Sequence, residues 1–386
     1  MTPDERIGLL DALRGFSLFG VLLVNMSGFK FPLVSSFFPS PELHFPGMWN
    51  DLAKSATMWL AAGKFMPIFS LLFGVGLALQ EQRATARGQG FCPFICWRMG
   101  LLVAAGVMHG ILLWPGDILA LYGLFGLLSP FLLKRSARTL SFLAIAISLI
   151  AIGASIFLTL SHFRNPVAHD TSSATDQWIE AYRHAPFAHY LQLRIQEWKM
   201  VWATTYVGDF SYAFLFFVLG LALGKSDRLA VWLSPDFKAR PCIKAAVVMA
   251  LLVTLAYTIH YAGGFTVGFV AALLFYPAFM VGNWILSWGY IAGFARLHAR
   301  MAGSSLMESF ACVGRMSLTN YLLQSVIANV IFMSFGFGFY GKVSVAGGVA
   351  FSIAIFAGQM VFSRWWLSRH QSGPAEHLWR LLSYPR

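Results

Sequence analysis

Long apolar stretches alternate with short polar turns along most of the chain. A helix that crosses a lipid bilayer needs about 20 mainly apolar residues. By that measure the pattern predicts ten spanning helices, at residues 7–29, 55–79, 96–115, 117–133, 139–161, 205–224, 243–262, 265–293, 317–340 and 345–366. The sequence therefore predicts an all-α fold, a polytopic transmembrane helix bundle that forms a single domain over residues 1–386.

The composition excludes a water-soluble globule. Hydrophobic residues make up 58% of the chain, aromatic residues 16% and charged residues only 11%, whereas about a quarter of the residues of a soluble domain are charged. A disordered chain is excluded as well, because such chains lack the apolar side chains that are abundant here. The expected surroundings are membrane lipids.

The net charge of +12 first suggests a nucleic-acid partner, but the positions of the basic residues explain it differently. If the N-terminus is cytoplasmic, 19 of the 28 Lys and Arg residues lie in cytoplasmic segments and seven on the opposite side. Such an excess marks the cytoplasmic side of a membrane protein. We therefore expect both termini in the cytoplasm and no nucleic-acid binding. Whether the protein forms a homo-oligomer is left open by the sequence.

One connection between predicted spans is long and polar. Residues 162–204 lie on the outer side in this topology and contain helical stretches on either side of Pro186. Their apolar side chains are expected to rest on the membrane surface: Trp178, Ile179, Tyr182, Leu191, Ile195 and Trp198. Connections of this length usually have a function, and a lid over an outward-facing cavity and a simple interfacial anchor both fit this one.

Two apolar stretches, residues 73–79 and 218–224, resemble each other. Such similarity can indicate an internal duplication. The Gly and Ala residues that the stretches share favour close helix packing instead.

A few polar residues fall within predicted spans, where a charged group costs about 2.5–3.5 kcal/mol and needs a partner or a cavity. Asp11 and Arg14 are three residues apart, so they share one helix face and can form an ion pair. That pair either orients the first helix or lets Arg14 receive an anionic ligand from the cytoplasm. Asn25, about 21 Å further along the helix than Asp11, is either a packing amide or an oxyanion donor.

The densest group of polar residues surrounds a predicted turn. Pro115 and Gly116 favour a tight turn between two antiparallel helices. His109 lies roughly 7–8 Å below this turn, and Asp117 opens the returning helix. Either Asp117 caps that helix while His109 makes an interhelical hydrogen bond, or His109 is a general base whose ring Asp117 orients.

Three further polar residues lie within predicted spans: Lys64, Asn320 and Gln324. The ammonium of Lys64 needs an anionic or carbonyl partner, for which Asp117 and Asp209 are candidates. Asn320 and Gln324 recur at helical spacing, so they either bond a neighbouring helix or line a substrate pocket. The sequence contains no phosphate-binding loop, dinucleotide fingerprint, zinc-protease motif or nucleophile elbow, and we expect no metal.

Several segments together resemble one family. They are residues 10–16 with 23–25, 63–65 with 69–74, 109–119, 313–324 and 373–380. In this order they resemble the YeiB-like family of bacterial membrane proteins, and they span nearly the whole chain. The first-helix signature of that family is similar to that of a wider superfamily of transmembrane acyltransferases, which includes the heparan-glucosaminide acetyltransferases and bacterial sugar O-acyltransferases.

The resemblance implies transfer of an acyl group from cytoplasmic acyl-CoA or acetyl-CoA to an unidentified acceptor at the outer face of a bacterial inner membrane. It places the catalytic histidine at His109, with Asp117 beside it. Asn25 is similar to an asparagine that assists the catalytic histidine of the lysosomal enzymes. In those enzymes the histidine lies in the loop after the first helix, where this chain has His44 at a spacing that does not match.

Two hypotheses about function follow. In an acyltransferase, four arginines are candidates for binding the phosphates of CoA, namely Arg14, Arg98, Arg315 and Arg380. Lys64, Asn320 and Gln324 are then candidates for binding the substrate. In a transporter of a small polar or amphipathic solute, the same buried polar groups would form a binding site or a proton relay.

Overall fold

The computed structural model describes residues 3–33, 45–88, 90–164, 171–226 and 269–383, and also the isolated positions Pro241, Lys244, Ala245, Val248 and Leu252. Regular structure within these residues is entirely helical. The prediction of an all-α bundle is confirmed. The predicted span at residues 243–262 lies almost wholly outside the described residues, as does His44.

The described residues form thirteen helices. They are α1 (Pro3–Lys30), α2 (Met48–Leu60), α3 (Phe65–Ala86), α4 (Phe91–Leu112), α5 (Leu119–Leu132), α6 (Ala137–Arg164), α7 (Thr171–His184), α8 (Phe187–Gly224), α9 (Phe269–Arg300), α10 (Ser305–Arg315), α11 (Ser317–Phe332), α12 (Val345–Leu367) and α13 (Pro374–Ser383).

Within the described residues, five helical stretches are long and apolar enough to cross a membrane, namely Gly8–Lys30, Met48–Ala86, Phe91–Leu112, Ala137–Phe157 and Val345–Leu367. Shorter apolar helices cover Leu119–Leu132, Ser211–Gly224 and Ser317–Phe332. Large apolar side chains on α6 point away from the protein, as expected for a face against lipid; they include Phe142, Leu149 and Ile150. The chain is therefore a polytopic membrane protein, as the sequence predicted.

The predicted second span, residues 55–79, is interrupted. α2 ends at Leu60 and α3 begins at Phe65, because Gly63 adopts a φ of 76° that a helix does not allow. Pro67 then lies in the first turn of α3, where a missing backbone N–H costs nothing. The stretch that reads as one span from its apolar pattern is thus two helices joined by a turn.

Two other predicted boundaries were wrong. The predicted span at residues 317–340 ends at Phe332, and the chain then turns through Gly338 with a φ of 68°. The predicted span at residues 205–224 begins much earlier, since α8 runs without a break from Phe187.

The segment predicted to lie outside contains α7 and the first half of α8, and this confirms helices on both sides of Pro186. Ile179 and Tyr182, which were expected to rest on the membrane surface, are buried within the protein. They are buried because α7 packs on the turn after α11, where Arg183 donates to the carbonyls of Tyr340 and Gly341.

α1 is the central helix of the bundle and contacts α3, α9, α10, α11 and α12. Glycines set its closest approach to a neighbour. Gly15 and Gly314 face each other, and a Cβ on either would overlap the main chain of the other helix. The similar stretches at 73–79 and 218–224 also meet, with Gly74 of α3 against Gly220 of α8. Their similarity therefore reflects close helix packing, as predicted.

The two ends of the bundle carry different side chains. The basic end carries Arg14, Arg315 and Arg380, which line one pocket. The far end carries Trp114, which packs against Phe29 near the end of α1. Helices α1 and α13, the first and last of the described helices, thus both line the pocket at the basic end.

We predict that Gly220→Leu lowers the free energy of unfolding by about 1–3 kcal/mol or more, because its side chain would push α8 away from the carbonyl of Leu71. Thermal unfolding of the purified protein in detergent measures the loss. The matched control is Gly153→Leu on α6, where an added Cβ meets no atom within 4 Å. Equal stability of the two variants would contradict the close α3–α8 contact.

Candidate functional site

A buried histidine at the far end of the bundle lies between an acidic and a hydroxyl side chain. His109 is one turn from the end of α4, and its Nδ1 lies 2.7 Å from Oδ1 of Asp117. Its Nε2 lies 2.9 Å from Oγ of Ser325 on α11. The exposed fraction is 4% for His109 and 0% for both partners. Sequence reasoning gave the pairing with Asp117 as one of two alternatives and missed Ser325.

The two oxygens of Asp117 have different partners. While Oδ1 faces His109, Oδ2 accepts a hydrogen bond of 2.8 Å from the backbone N–H of Ala120 in the first turn of α5. The carboxylate therefore caps a helix and orients the imidazole at the same time, so the two interpretations of the sequence are compatible.

The hydrogen bonds indicate which ring nitrogen of a neutral His109 carries the proton. An ionised carboxylate can only accept, so Nδ1 of His109 donates to Asp117. Nε2 then has a free lone pair and accepts from the hydroxyl of Ser325. Tyr321 packs over the imidazole with the ring centroids 5.0 Å apart, and its hydroxyl accepts from the N–H of Ile118 at 3.3 Å.

Local sequence explains how Asp117 reaches His109. Gly106 lies one turn before His109 on α4, and a Cβ there would lie 2.6 Å from Oδ2 of Asp117 and would overlap the backbone of Ala120. The absent side chain lets α5 start directly against α4. Trp114 then buries its ring against Phe29 of α1, with the centroids 4.3 Å apart, and fixes the turn.

Asn25 lies on the face of α1 that points toward this turn, since it is one helical turn before Gly28 and Phe29, both of which contact Trp114. It is partly buried. Its amide makes no hydrogen bond within the described part of the chain. Its role as an oxyanion donor stays a prediction.

Asn329, one turn beyond Ser325 on α11, connects three helices. Its Nδ2 donates to the carbonyls of Ser325 at 2.7 Å and of Leu113 at 2.8 Å. Its Oδ1 accepts a 2.6 Å hydrogen bond from the hydroxyl of Tyr190 on α8. The side chain of Asn329 thus holds α11 against the end of α4.

Beyond Tyr190 lies a buried ion pair that sequence reasoning missed. Nε of Arg194 donates to the hydroxyl of Tyr190 at 3.1 Å, and Nη1 donates to Oε2 of Glu197 at 3.1 Å. Both charged side chains are buried, with exposed fractions of 1% and 0%. The available signal was the spacing of three residues between opposite charges in a segment otherwise treated as a surface loop.

Two further groups complete the surroundings of Glu197. The hydroxyl of Tyr182 donates to Oε2 at 2.7 Å, and the backbone N–H of Leu33 donates to Oε1. Burial, helped by the nearby carboxylate, raises the pKa of Tyr182 well above its ordinary value, so the phenol keeps the proton that it donates. This network joins α7 and α8 to the end of α1.

A second polar site opens at the basic end. A pocket with a volume of about 340 Å³ brings together Arg14 of α1, Arg315 of α10 and Arg380 of α13, three of the four arginines proposed from the sequence; the rest of its lining is Asp11, Gly314, Ser317, Gln371 and Ser372. Arg14 also forms the predicted ion pair with Asp11, at 2.7 Å. Three guanidinium groups against one carboxylate leave an excess of positive charge.

The fourth arginine lies outside this pocket. Arg98 donates to Gln80 at 2.9 Å, and its guanidinium stacks over Phe94 and Trp379. Glu376 fixes α13 beside the pocket, because its carboxylate accepts from the backbone N–H groups of Leu318 and Thr319 at the start of α11.

The remaining predicted residues contact protein. Lys64 donates to the carbonyl of Met58 at 2.8 Å, so its partner is a carbonyl; the side chain of Asp209 lies outside the described residues.

Asn320 donates to the hydroxyl of Ser363, and Gln324 donates to Gln359, both on α12. The structure thus shows the interhelical hydrogen bonds, and a substrate role for Asn320 and Gln324 stays a prediction. Among the described residues no group of three or more His, Cys, Asp and Glu is placed to hold a metal ion.

The chain is similar to known proteins over almost its whole length. The chain matches the family model described as "Protein of unknown function (DUF418)" over residues 223–386. It is 31% identical to the protein YxaH of Bacillus subtilis, over 99% of this chain and 95% of the relative. It is 28% identical to the protein YeiB of Escherichia coli, over 98% and 96%. Both relatives are described as uncharacterized, and no solved structure matches the chain.

We predict that Glu197→Gln costs about 3–5 kcal/mol of folding free energy, because it leaves the buried Arg194 without a counter-charge. Thermal unfolding in detergent measures the loss. The control is Glu180→Gln on α7, whose carboxylate also pairs with cations but is 62% exposed and contributes little. A Glu197→Gln protein as stable as this control would show that the pair does not hold α8 in place.

Proposed function

The chain belongs to the YeiB-like family of membrane proteins, DUF418, and from the geometry of its two polar sites we propose that it is a membrane-embedded acyltransferase. It takes an acyl group from acyl-CoA at the basic end and transfers it to an acceptor at the far end. In this proposal the protein lies in the bacterial inner membrane with both termini in the cytoplasm, as the basic residues favour.

The observation that carries the proposal is the convergence of Arg14, Arg315 and Arg380 on one pocket. Arg14 lies 301 positions before Arg315, and Arg380 lies 65 positions after it; three different helices bring them together. Guanidinium groups match the geometry of phosphate oxygens and bind them with charge-assisted hydrogen bonds. CoA is a donor with several phosphates, and the pocket lies on the side where cytoplasmic acyl-CoA is available in the proposed topology.

The chemistry is assigned to His109 and Asp117. A neutral imidazole whose Nε2 carries no proton can take a proton from a nucleophile, and the Asp117 carboxylate stabilises the imidazolium that forms. α11 leads from one site to the other, since Ser317 lines the pocket and Ser325 contacts His109. Eight helical residues separate them by about 12 Å, and the long pantetheine arm of CoA can cover this distance.

The acceptor is expected to enter from the far end. There α7 and the first half of α8 cover the bundle and connect to the site through Tyr190 and Asn329. We propose that they form a lid, and that a hydroxyl or amine of the acceptor reaches the site from this side. In this proposal Asn25 stabilises the oxyanion that develops on the thioester carbonyl.

A transporter is the second candidate, because the interruption between α2 and α3 is a feature that transporters use. Lys64 lies at this interruption and directs its ammonium to the carbonyl of Met58 near the end of α2. Hydrolysis or transfer of an acyl group separates the two functions, since a transporter would leave the thioester intact.

We predict that the purified protein in nanodiscs binds acyl-CoA and slowly releases free CoA. His109→Ala should lower this release by at least about 100-fold, because the general base is lost, and leave acyl-CoA binding within about twofold. Free CoA is measured with a thiol reagent and binding by calorimetry. The control is His189→Ala, an exposed residue of α8. Absence of binding to any acyl-CoA would reject the acyltransferase, and unchanged release in His109→Ala would remove His109 from the chemistry.

We predict that Arg315→Ala and Arg380→Ala each weaken acyl-CoA binding about tenfold, because each removes a charge-assisted phosphate contact. The release rate at saturating acyl-CoA should change little. Arg369→Ala, whose guanidinium stacks on Trp365 instead of lining the pocket, is the control. Binding that is lost equally in all three variants would indicate a general charge effect and reject the pocket as the CoA site.

A further inference from the structure

We propose that Ser325 is the nucleophile of the reaction and carries the acyl group as a serine ester between the two half-reactions. The inference deepens the proposed function, on which it rests for the identity of the acyl donor. It assigns to the site a residue type that sequence motifs did not indicate, since Ser325 lies inside an apolar helix without a nucleophile elbow.

The geometry is that of an Asp–His–Ser array. The carboxylate of Asp117 and the hydroxyl of Ser325 lie on opposite ring nitrogens of His109, at 2.7 and 2.9 Å. The three residues come from the α4–α5 turn, α4 and α11. This constellation recurs on unrelated folds and is recognised by its geometry and not by sequence order.

The hydrogen bonding of Ser325 differs from that of most of the fully buried helical serines that the structure describes. A serine inside a helix ordinarily donates to a carbonyl three or four residues earlier in its own helix. Five fully buried serines of this chain do so, namely Ser17, Ser70, Ser129, Ser287 and Ser352. The hydroxyl of Ser325 is instead directed to Nε2 of a histidine 216 positions away in the sequence.

Surrounding contacts hold Ser325 in this position. Asn329 donates to the carbonyl of Ser325 and to that of Leu113, which ties this part of α11 to the end of α4. Tyr321, one turn earlier, packs on the imidazole from the same helix. The Oγ and Nε2 atoms are therefore kept at hydrogen-bond distance by contacts on both sides, as a nucleophile and its base require.

The reaction balances in two steps. Nε2 of His109 takes the hydroxyl proton of Ser325 while Oγ bonds to the thioester carbonyl carbon. The C–S bond then breaks, and the CoA thiolate leaves with the proton from Nε2. In the second step a hydroxyl or amine of the acceptor loses its proton to Nε2 and attacks the serine ester. The C–Oγ bond breaks, Ser325 recovers the proton, and the acylated acceptor leaves.

A covalent acyl-serine intermediate also suits a site that is this deeply buried. His109, Asp117 and Ser325 are each at most 4% exposed, and donor and acceptor are expected from opposite ends of the bundle. Direct transfer would require both to occupy this space at once. An acyl-serine lets CoA leave before the acceptor arrives.

The test uses the full chain in nanodiscs with two probes. The first is acetyl-CoA with a radioactive acetyl group, followed by acid quench, counting of protein-bound label and peptide mapping by mass spectrometry. The second is a fluorophosphonate, which reacts with activated serines and needs no CoA site. The variants are Ser325→Ala, Ser325→Cys and the matched control Ser352→Ala, which changes another fully buried helical serine.

The proposal expects both probes to label wild type and Ser352→Ala on Ser325. It expects at least about a 100-fold loss of CoA release in Ser325→Ala. Ser325→Cys should carry its acetyl group as a thioester that neutral hydroxylamine removes, and this shows that the position remains folded and reactive.

Failure of the inference and failure of the proposed function give different results. CoA release at the wild-type rate in Ser325→Ala, or acetyl label on His109, would overturn the acyl-serine while leaving the acyltransferase in place. Absence of acetyl-CoA turnover in wild type would reject the acyltransferase. In that case fluorophosphonate labelling of Ser325 would still support an activated nucleophile, and no labelling would overturn it.

Discussion

A polar group inside a bilayer has no water to bond, so each buried hydrogen-bonding atom depends on a partner that another part of the protein supplies. The imidazole of His109 shows this constraint most clearly, because both of its nitrogens are satisfied by residues of other elements, Asp117 and Ser325. Its position fixes the start of α5 and the rotation of α11. Glycines then let the main chains approach closely enough for these bonds to form, at Gly106 and also at Gly15 and Gly314 near the basic end.

Sequence alone was sufficient for features that depend on local periodicity or on residues near one another. The apolar stretches predicted the bundle. The turn at Pro115 and Gly116 gave a contact between His109 and Asp117 as one of two alternatives, and the two side chains do meet, at 2.7 Å. Ser325 and His109 are 216 positions apart in the sequence, so no local sequence pattern predicts their contact. The break at Gly63 was missed for another reason, since a glycine is tolerated in an apolar span and its φ is a property of the folded chain.

The positions of the arginines in the sequence predicted part of the pocket at the basic end. Four arginines were expected at phosphates, and three of them, Arg14, Arg315 and Arg380, line one pocket. The sequence could not separate them from Arg98, which lies against α13 instead through Trp379. The position of α13 brings Arg380 into the pocket. Glu376 fixes that position, because its carboxylate caps the start of α11. Membership of the family does not indicate which arginines bind phosphate, because the relatives are described as uncharacterized.

In the proposed reaction, acyl-CoA enters at the basic end and the acyl group is released from CoA through His109. The most direct measurement places the protein in sealed vesicles with one known orientation and supplies acetyl-CoA from either side. We expect release of free CoA only when acetyl-CoA is on the side that carries the two termini. Release only from the opposite side, or the same release from both sides, would contradict it.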